Sequence, residues 1–157
     1  MIEVSKLMQN IIDTIETSVT ADTPHGATAV FSHLDAVYDI EDLASVRSPT
    51  RKFVLEPTGS RSLVGFLGHE GEMTSVVQTF DVSIAYQQGK SALQLRKVIC
   101  EDVDKIGRFL MKTAHFDTTN TGLERRIVTG YSLKLDQGAG GTAVVTIPVE
   151  CRYTPSY

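Results

Sequence analysis

The second half of the chain switches between the two hydrophobic periods that distinguish strands from helices. Apolar and polar residues alternate from Val76 to Tyr86, with Gln78 interrupting the apolar face. From Ser91 to Leu110 the apolar residues instead recur at three- and four-residue steps, and alternation returns from Leu123 to Leu135 and from Ala143 to Tyr153. Alternation predicts a half-buried strand, and the longer period predicts an amphipathic helix. This order predicts a small sheet with a helix laid across one face.

Packing, not surface charge, is expected to position the helix that follows Ser91, a suitable N-cap. Opposite charges four residues apart, such as Lys97/Glu101 and Asp104/Arg108, stabilise a helix by only about 0.2–0.5 kcal/mol a pair. Burying one large apolar side chain contributes about 1.5–3 kcal/mol. The predicted buried stripe comprises Ala92, Leu95, Val98 or Ile99, Val103, Ile106 and Leu110.

The N-terminal half adds a second predicted helix and less regular segments. Residues Ile2 to Val19 repeat apolar side chains with a helical period. Arg51 to Pro57 alternate as a short strand, and residues 27–49 give mixed signals, with Ala27 to Ser32 as one candidate strand. We expect a single α+β domain over residues 1–157, a small antiparallel or mixed β-sheet with helices packed on one face.

Pro148 bears on where the last predicted strand lies. Because proline has no N–H to donate, this strand is expected at a sheet edge, or with its proline nitrogen turned outward. The polar sheet face and this edge would then meet solvent or another subunit.

A glycine-rich segment near residues 58–73 is predicted to be a long loop or hairpin. It holds Gly59, Gly65, Gly68 and Gly71, and such a density of permissive backbone disfavours regular structure. Loops of this length are usually functional or disordered. Its apolar residues, with the basic residues beside them, form a candidate partner-binding set, and the alternative is that the apolar ones tuck under the domain. The candidate residues are Arg61, Val64, Phe66, Leu67 and His69.

No motif in the chain predicts a catalytic, cofactor-binding or metal site. His33-Leu-Asp35 and His69-Glu-Gly-Glu72 lack the helical spacing or the Cys-x-x-Cys partner of zinc sites. The glycines of residues 65–71 and 138–141 lack the helix N-terminus that binds phosphate. There is no serine-hydrolase elbow.

The remaining polar and thiol groups are predicted to be structural. Cys100 and Cys151 are expected to be small core residues of a protein from a reducing compartment. Two of the acids Glu101, Asp102 and Asp104 lie on the predicted wet face of the helix beside basic residues, so the set is expected to be solvated surface rather than paired acids. A net charge of -4 argues against a sequence-independent nucleic-acid binder. We expect neither a signal peptide nor a membrane span.

The order of elements and several short phrases resemble tail terminator, or tail completion, proteins of long-tailed bacteriophages. The resemblance is carried by the N-terminal helix, the long central loop, and four segments: Thr79-Phe-Asp-Val-Ser-Ile-Ala-Tyr86, Glu101-Asp-Val-Asp-Lys-Ile-Gly-Arg-Phe-Leu110, Val128-Thr-Gly-Tyr-Ser132 and Val145-Thr-Ile-Pro-Val-Glu-Cys-Arg-Tyr153. It covers most of the chain and is weaker before Arg51.

The resemblance implies a non-enzymatic virion protein of the tail or neck, assembled in the host cytoplasm. Such subunits form a homo-hexameric ring that caps the tail tube protein and joins it to the head-side connector or stopper protein, and genomic DNA passes through without specific binding. The family has no catalytic residues to transfer. Two alternatives stay open: a monomeric or dimeric α+β ligand-binding module or enzyme, and another head–tail joining or minor tail component.

Overall fold

The computed structural model describes residues 2–20, 29–34, 50–62, 75–87, 92–135 and 142–154. Their order matches the predicted alternation of helix and strand. The elements are helix α1 (Ile2–Asp13), which continues as a π-helical segment (Thr14–Val19), strands β1 (Ser32–His33), β2 (Lys52–Ser62) and β3 (Val76–Gln87), helix α2 (Ala92–Met111), a 3-10 turn (Thr113–His115), short helix α3 (Thr118–Thr121), and strands β4 (Leu123–Val128), β5 (Ser132–Leu135) and β6 (Thr142–Tyr153).

The strands form one mixed sheet in the order β1-β2-β3-β6-β4, with β5 also pairing with β6. The longest ladder joins β3 to β6 antiparallel, from Val76 opposite Tyr153 to Gln87 opposite Thr142. Strand β1 is parallel to β2, while β4 and β5 lie end to end along the other edge of β6. The predicted α+β class, with helices on one face of a mixed sheet, is confirmed.

The core lies between this sheet and the two long helices. Its largest side chains are no more than 1% exposed: Leu7, Ile11 and Ile15 from α1 and its π-helical extension, Phe53, Phe80, Ile84 and Tyr86 from β2 and β3, Ile99, Ile106 and Leu110 from α2, and Ile147 from β6. Burial of each aliphatic side chain contributes about 1.5–3 kcal/mol before entropy. The predicted stripe of α2 is confirmed at its last positions, whereas Leu95, Val98 and Val103 are only partly buried.

The prediction that the last strand lies at a sheet edge was wrong. Strand β6 lies between β3 and the β4–β5 edge, so Pro148 is not on an edge strand. On the side of β6 that faces β4 and β5, the last pair before Pro148 is Ser132 with Thr146, and the ladder resumes after it with Val128 and Val149. Neither β4 nor β5 pairs with Pro148 itself, so its missing N–H is tolerated there.

The sheet face away from the helices is not uniformly exposed. Val54, Ala85 and Val144 are at most 4% exposed and form a second, smaller apolar cluster with Leu34 packed against it. The prediction of a polar, solvated face therefore holds only for part of this surface.

The predicted strand from Leu123 to Leu135 is interrupted, and this changes which face some residues occupy. A bulge between Leu123 and Arg125 shifts the register, and the chain breaks between β4 and β5 at Gly130, whose φ is +146°. Arg126 consequently pairs with Cys151 on the core face, while Ile127 pairs with Glu150 on the other. Uninterrupted alternation from Leu123 would instead place Ile127 on the core face and Arg126 on the other.

Candidate functional site

The predicted partner-binding residues belong to the connection between β2 and β3. Arg61 lies in β2 opposite Val77, and the other four, Val64, Phe66, Leu67 and His69, lie outside the described residues. The expected start of the loop at residue 58 was wrong, since β2 continues to Ser62, the partner of Val76. The ladder between β2 and β3 therefore reaches its last pair at Ser62 and Val76, the residues on either side of this connection.

A β-bulge in β2 accommodates the first glycine of the predicted loop. The register with β3 shifts between Pro57 and Gly59. The Gly59 carbonyl accepts hydrogen bonds from Gln78 Nε2 at 2.8 Å and Thr79 Oγ1 at 3.1 Å, and Thr58 Oγ1 donates to Thr79 Oγ1 at 2.8 Å. Gln78, which interrupts the apolar face of β3, is therefore a buried partner of the bulge. A bulge bends its strand and disrupts the ladder locally, and proteins use such bends to terminate or redirect pairing.

An open concavity of about 240 Å³ lies beside the bulge, on the sheet face away from the helices. It is lined by Gly59, Ser60, Val77, Thr79 and Glu150. The outer edge of β2 is paired by β1 only at Lys52 and Phe53. Beyond that, no strand among the described residues pairs with this edge, and Pro57 removes one of its donors.

Three carboxylates lie together on this open sheet face. Glu56 in β2 is directly opposite Asp81 in β3, and Glu150 in β6 is opposite Thr79, diagonal to Asp81. Each is partly exposed, and burial raises the pKa of Asp81 above its ordinary value. No ion pair joins them to any residue within the described ranges, and Glu56 Oε1 is buried without a hydrogen-bond partner. We name Glu56, Asp81 and Glu150 the acidic strip.

A second polar cluster is buried where β2 begins and β3 ends. Asp102 of α2, 4% exposed, accepts hydrogen bonds from Arg51 Nε at 2.9 Å, Arg51 Nη2 at 3.3 Å and the Tyr86 hydroxyl at 2.7 Å. Arg51 has a positive φ of 59° and lies 5.7 Å from the ring centroid of Phe31. Burial, then the charge and hydrogen bond of Asp102, raise the pKa of Tyr86 well above its ordinary value. The cluster joins α2 to the sheet, and its partners satisfy one another.

Arg126 of β4 is a buried cation that contacts α1 and the C-terminal end of α2. It is 2% exposed, donates from Nε to the Leu110 carbonyl at 2.6 Å and from Nη1 to Asn10 Oδ1 at 2.8 Å, and lies 4.7 Å from the ring centroid of Phe116. Burial lowers its pKa to about 10. Its bond to Leu110 satisfies one of the carbonyls that the end of a helix leaves unpaired. The contacts support a structural role.

The histidines and cysteines of the described ranges also occupy packing or surface positions. His33 packs against Phe53 with ring centroids 5.3 Å apart, and His115 lies 5.2 Å from the Phe109 ring and 3.4 Å from Ser18 Oγ. Within those ranges, no group of three His, Cys, Asp or Glu side chains could hold a metal ion. His25 and His69 lie outside the described residues.

The two cysteines differ. Cys151 is fully buried, as predicted, and burial raises its pKa to about 12. Cys100 is exposed on α2 with its Sγ 3.5 Å from the Tyr131 hydroxyl, so its prediction as a core residue was wrong. The helical phase explains this, because Ile99 occupies the buried position next to it.

Asp102 was missed although its position carried a usable signal. It lies three residues after Ile99 and four before Ile106, both buried, so it shares their helix face. An acid in the phase of a buried stripe requires a buried partner. Its expected solvation was therefore wrong, although no sequence pattern indicated that Arg51 and Tyr86 would supply the contacts.

None of the described helices combines the length and the apolar character needed to cross a membrane. In comparisons with known proteins, no family model matches the chain and no curated protein sequence matches it.

Proposed function

We propose that this chain is a structural subunit of a phage tail or neck that forms a closed ring on the tail tube and joins it to the head-side connector. The proposal rests first on the resemblance to tail terminator proteins described above. A ring subunit of this kind performs no chemistry and acts through its edges, loops and exposed faces.

The geometry of the β2–β3 hairpin is the observation that supports the proposal best. Its strands pair as far as Ser62 and Val76, so the apolar segment Val64-Gly-Phe-Leu67 belongs to a connection anchored at both ends in the sheet. A loop held by a rigid scaffold suits contact with a partner. We assign this connection, with Arg61 at its base, to docking on the tail tube, and the lumen of the ring to the passage of DNA without specific binding.

The small-molecule alternative receives less support from the same surface. Ligand sites are usually concave pockets of about 300–1,000 Å³ that bury most of the ligand. The concavity beside Glu150 is open and smaller, at about 240 Å³, and among the described residues that line it only Val77 has a large apolar side chain. A ring subunit accounts better for the open sheet face and for the edge of β2, which no described strand pairs beyond Phe53.

Native mass spectrometry and negative-stain imaging, with and without isolated tail tubes, test the proposal. We expect rings in solution or at tube ends. A protein that stays monomeric and leaves tube ends bare would refute it. Binding to the head-side connector but not to the tube would instead assign the chain to another head–tail joining component.

A loop variant tests the role of the hairpin connection. Replacing residues 63–74 by a short Gly-Ser turn leaves both strands intact and should abolish tube docking without lowering the unfolding midpoint substantially. The matched control shortens residues 136–141, between β5 and β6, and should dock normally. Loss of folding in the first variant would show that Val64, Phe66 and Leu67 belong to the core.

A further inference from the structure

Helix α2 exposes a continuous outer stripe along its whole length. The stripe, which we name the helix face, runs through Leu93, Lys97, Cys100, Asp104, Arg108 and Met111 at three- and four-residue steps. Leu93 is 64% exposed and Met111 44%.

Basic residues outnumber acids among the exposed charged side chains on and beside the helix face, where Arg96 lies next to Lys97. On α2, Arg96, Lys97 and Arg108 are exposed, against the exposed acids Glu101 and Asp104, and Lys112 is exposed directly after the helix ends. Of these, Arg108 pairs with Asp104 at 3.2 Å. The helix therefore keeps an excess of positive charge although the whole chain carries -4.

The acidic strip lies on the opposite side of the subunit. The helices cover one face of the sheet, and Glu56, Asp81 and Glu150 project from the other. Like charges on directly opposite strand residues, such as Glu56 and Asp81, repel each other, and burial raises the pKa of Asp81. Cations supplied from outside the subunit would relieve this repulsion.

We propose that the basic helix face of one copy docks on the acidic strip of the next copy, so that the subunits associate head to tail. This inference rests on the proposed ring function and names the surfaces that would form the ring. The two surfaces differ and lie on opposite sides of the subunit, so the contact is heterologous and repeats around a closed ring. Complementary charge also sets the orientation of the subunits.

Charge reversal on each face, followed by mixing, tests the proposal. The helix-face variant carries Arg96→Glu and Lys97→Glu, and the sheet-face variant carries Asp81→Lys and Glu150→Lys. Each alone should associate at least roughly tenfold more weakly than the wild type, because like charges then face each other. An equimolar mixture should recover assembly, because each altered face then meets an opposite charge. Sedimentation velocity and native mass spectrometry measure both effects, on tail tubes if the wild type assembles only there.

The controls separate this interface from folding and from the ring itself. Lys6→Glu reverses an exposed charge on α1 and should leave assembly unchanged. Circular dichroism verifies that each variant folds, and the single variants Lys97→Glu and Glu150→Lys replace any double variant that does not. Recovery on mixing requires two folded partners, so misfolding cannot imitate it.

Four results would overturn the proposal. If either folded variant forms rings at wild-type strength, these surfaces do not form the interface, although the ring function still stands. The same holds if both variants fold but fail to assemble on mixing. Wild-type retention on duplex DNA that the helix-face variant loses would assign the helix face to nucleic acid. A wild type that remains monomeric even on tubes would instead remove the ring function.

Discussion

Replacing Asp102 with Asn should cost about 2–3 kcal/mol of unfolding free energy. The carboxylate is 4% exposed and accepts hydrogen bonds from Arg51 and from the Tyr86 hydroxyl. Removing one partner of a buried ion pair typically costs about 3–5 kcal/mol. The Arg51 side chain is 22% exposed, so water can partly rehydrate its guanidinium. The expected loss of unfolding free energy therefore lies at or below the lower end of that range. The amide would also turn a donor toward Arg51 or Tyr86, which are both donors.

Urea unfolding at neutral pH, followed by circular dichroism, measures the loss at constant slope m. Asp104→Asn is the matched control, because Asp104 is 70% exposed in a surface pair with Arg108 and should change stability by no more than about 0.5 kcal/mol. Tyr86→Phe should cost about 1–2 kcal/mol, the loss of one hydrogen bond to a charged acceptor. The double variant of Tyr86 and Asp102 should lose less than the sum of the two single losses. A loss below about 1 kcal/mol for Asp102→Asn, or strict additivity, would refute the buried cluster.

Three further predictions use the same protein. Asp81→Asn should raise the free energy of unfolding at neutral pH by about 0.2–1 kcal/mol, because it removes one of two carboxylates that lie directly opposite each other. Because the pKa of Asp81 is raised in the folded state, this group stabilises the wild type at low pH and that stabilisation is lost as the pH rises. The stabilities of the two proteins should therefore converge in acid, and the same difference at every pH would contradict this. Native protein should react rapidly with a thiol reagent at Cys100 alone, since Cys151 is buried with its pKa raised to about 12; two fast thiols in a quantitative thiol assay would show that the core opens. Gly122→Ala should lower the thermal midpoint markedly, because Gly122 has a φ of +64° and an added Cβ would overlap the Thr154 carbonyl oxygen; an unchanged midpoint would mean that this turn relaxes freely.

The hydrophobic periods of the chain were sufficient to predict its main elements. Helix α1, strand β3, the packing of α2 through Ile99, Ile106 and Leu110, and the α+β class all follow from patterns of apolar residues. These are local properties: the side chains that one face buries recur at the period of the element itself. The predicted interactions of residues 63–74 lie outside the described residues, and the ring stays a prediction.

Long-range pairing set the features that the local pattern predicted wrongly or not at all. Pro148 lies inside the sheet because β4 and β5 break opposite it, and Arg126 lies in the core because a bulge shifts β4 by one residue. Asp102 is buried because Arg51 and Tyr86 reach it from strands far away along the chain. A periodic pattern reports which face of an element is apolar, but strand order, register shifts and the partners of buried charges depend on contacts between distant segments. For the same reason, the acidic strip became visible only when three strands placed Glu56, Asp81 and Glu150 side by side.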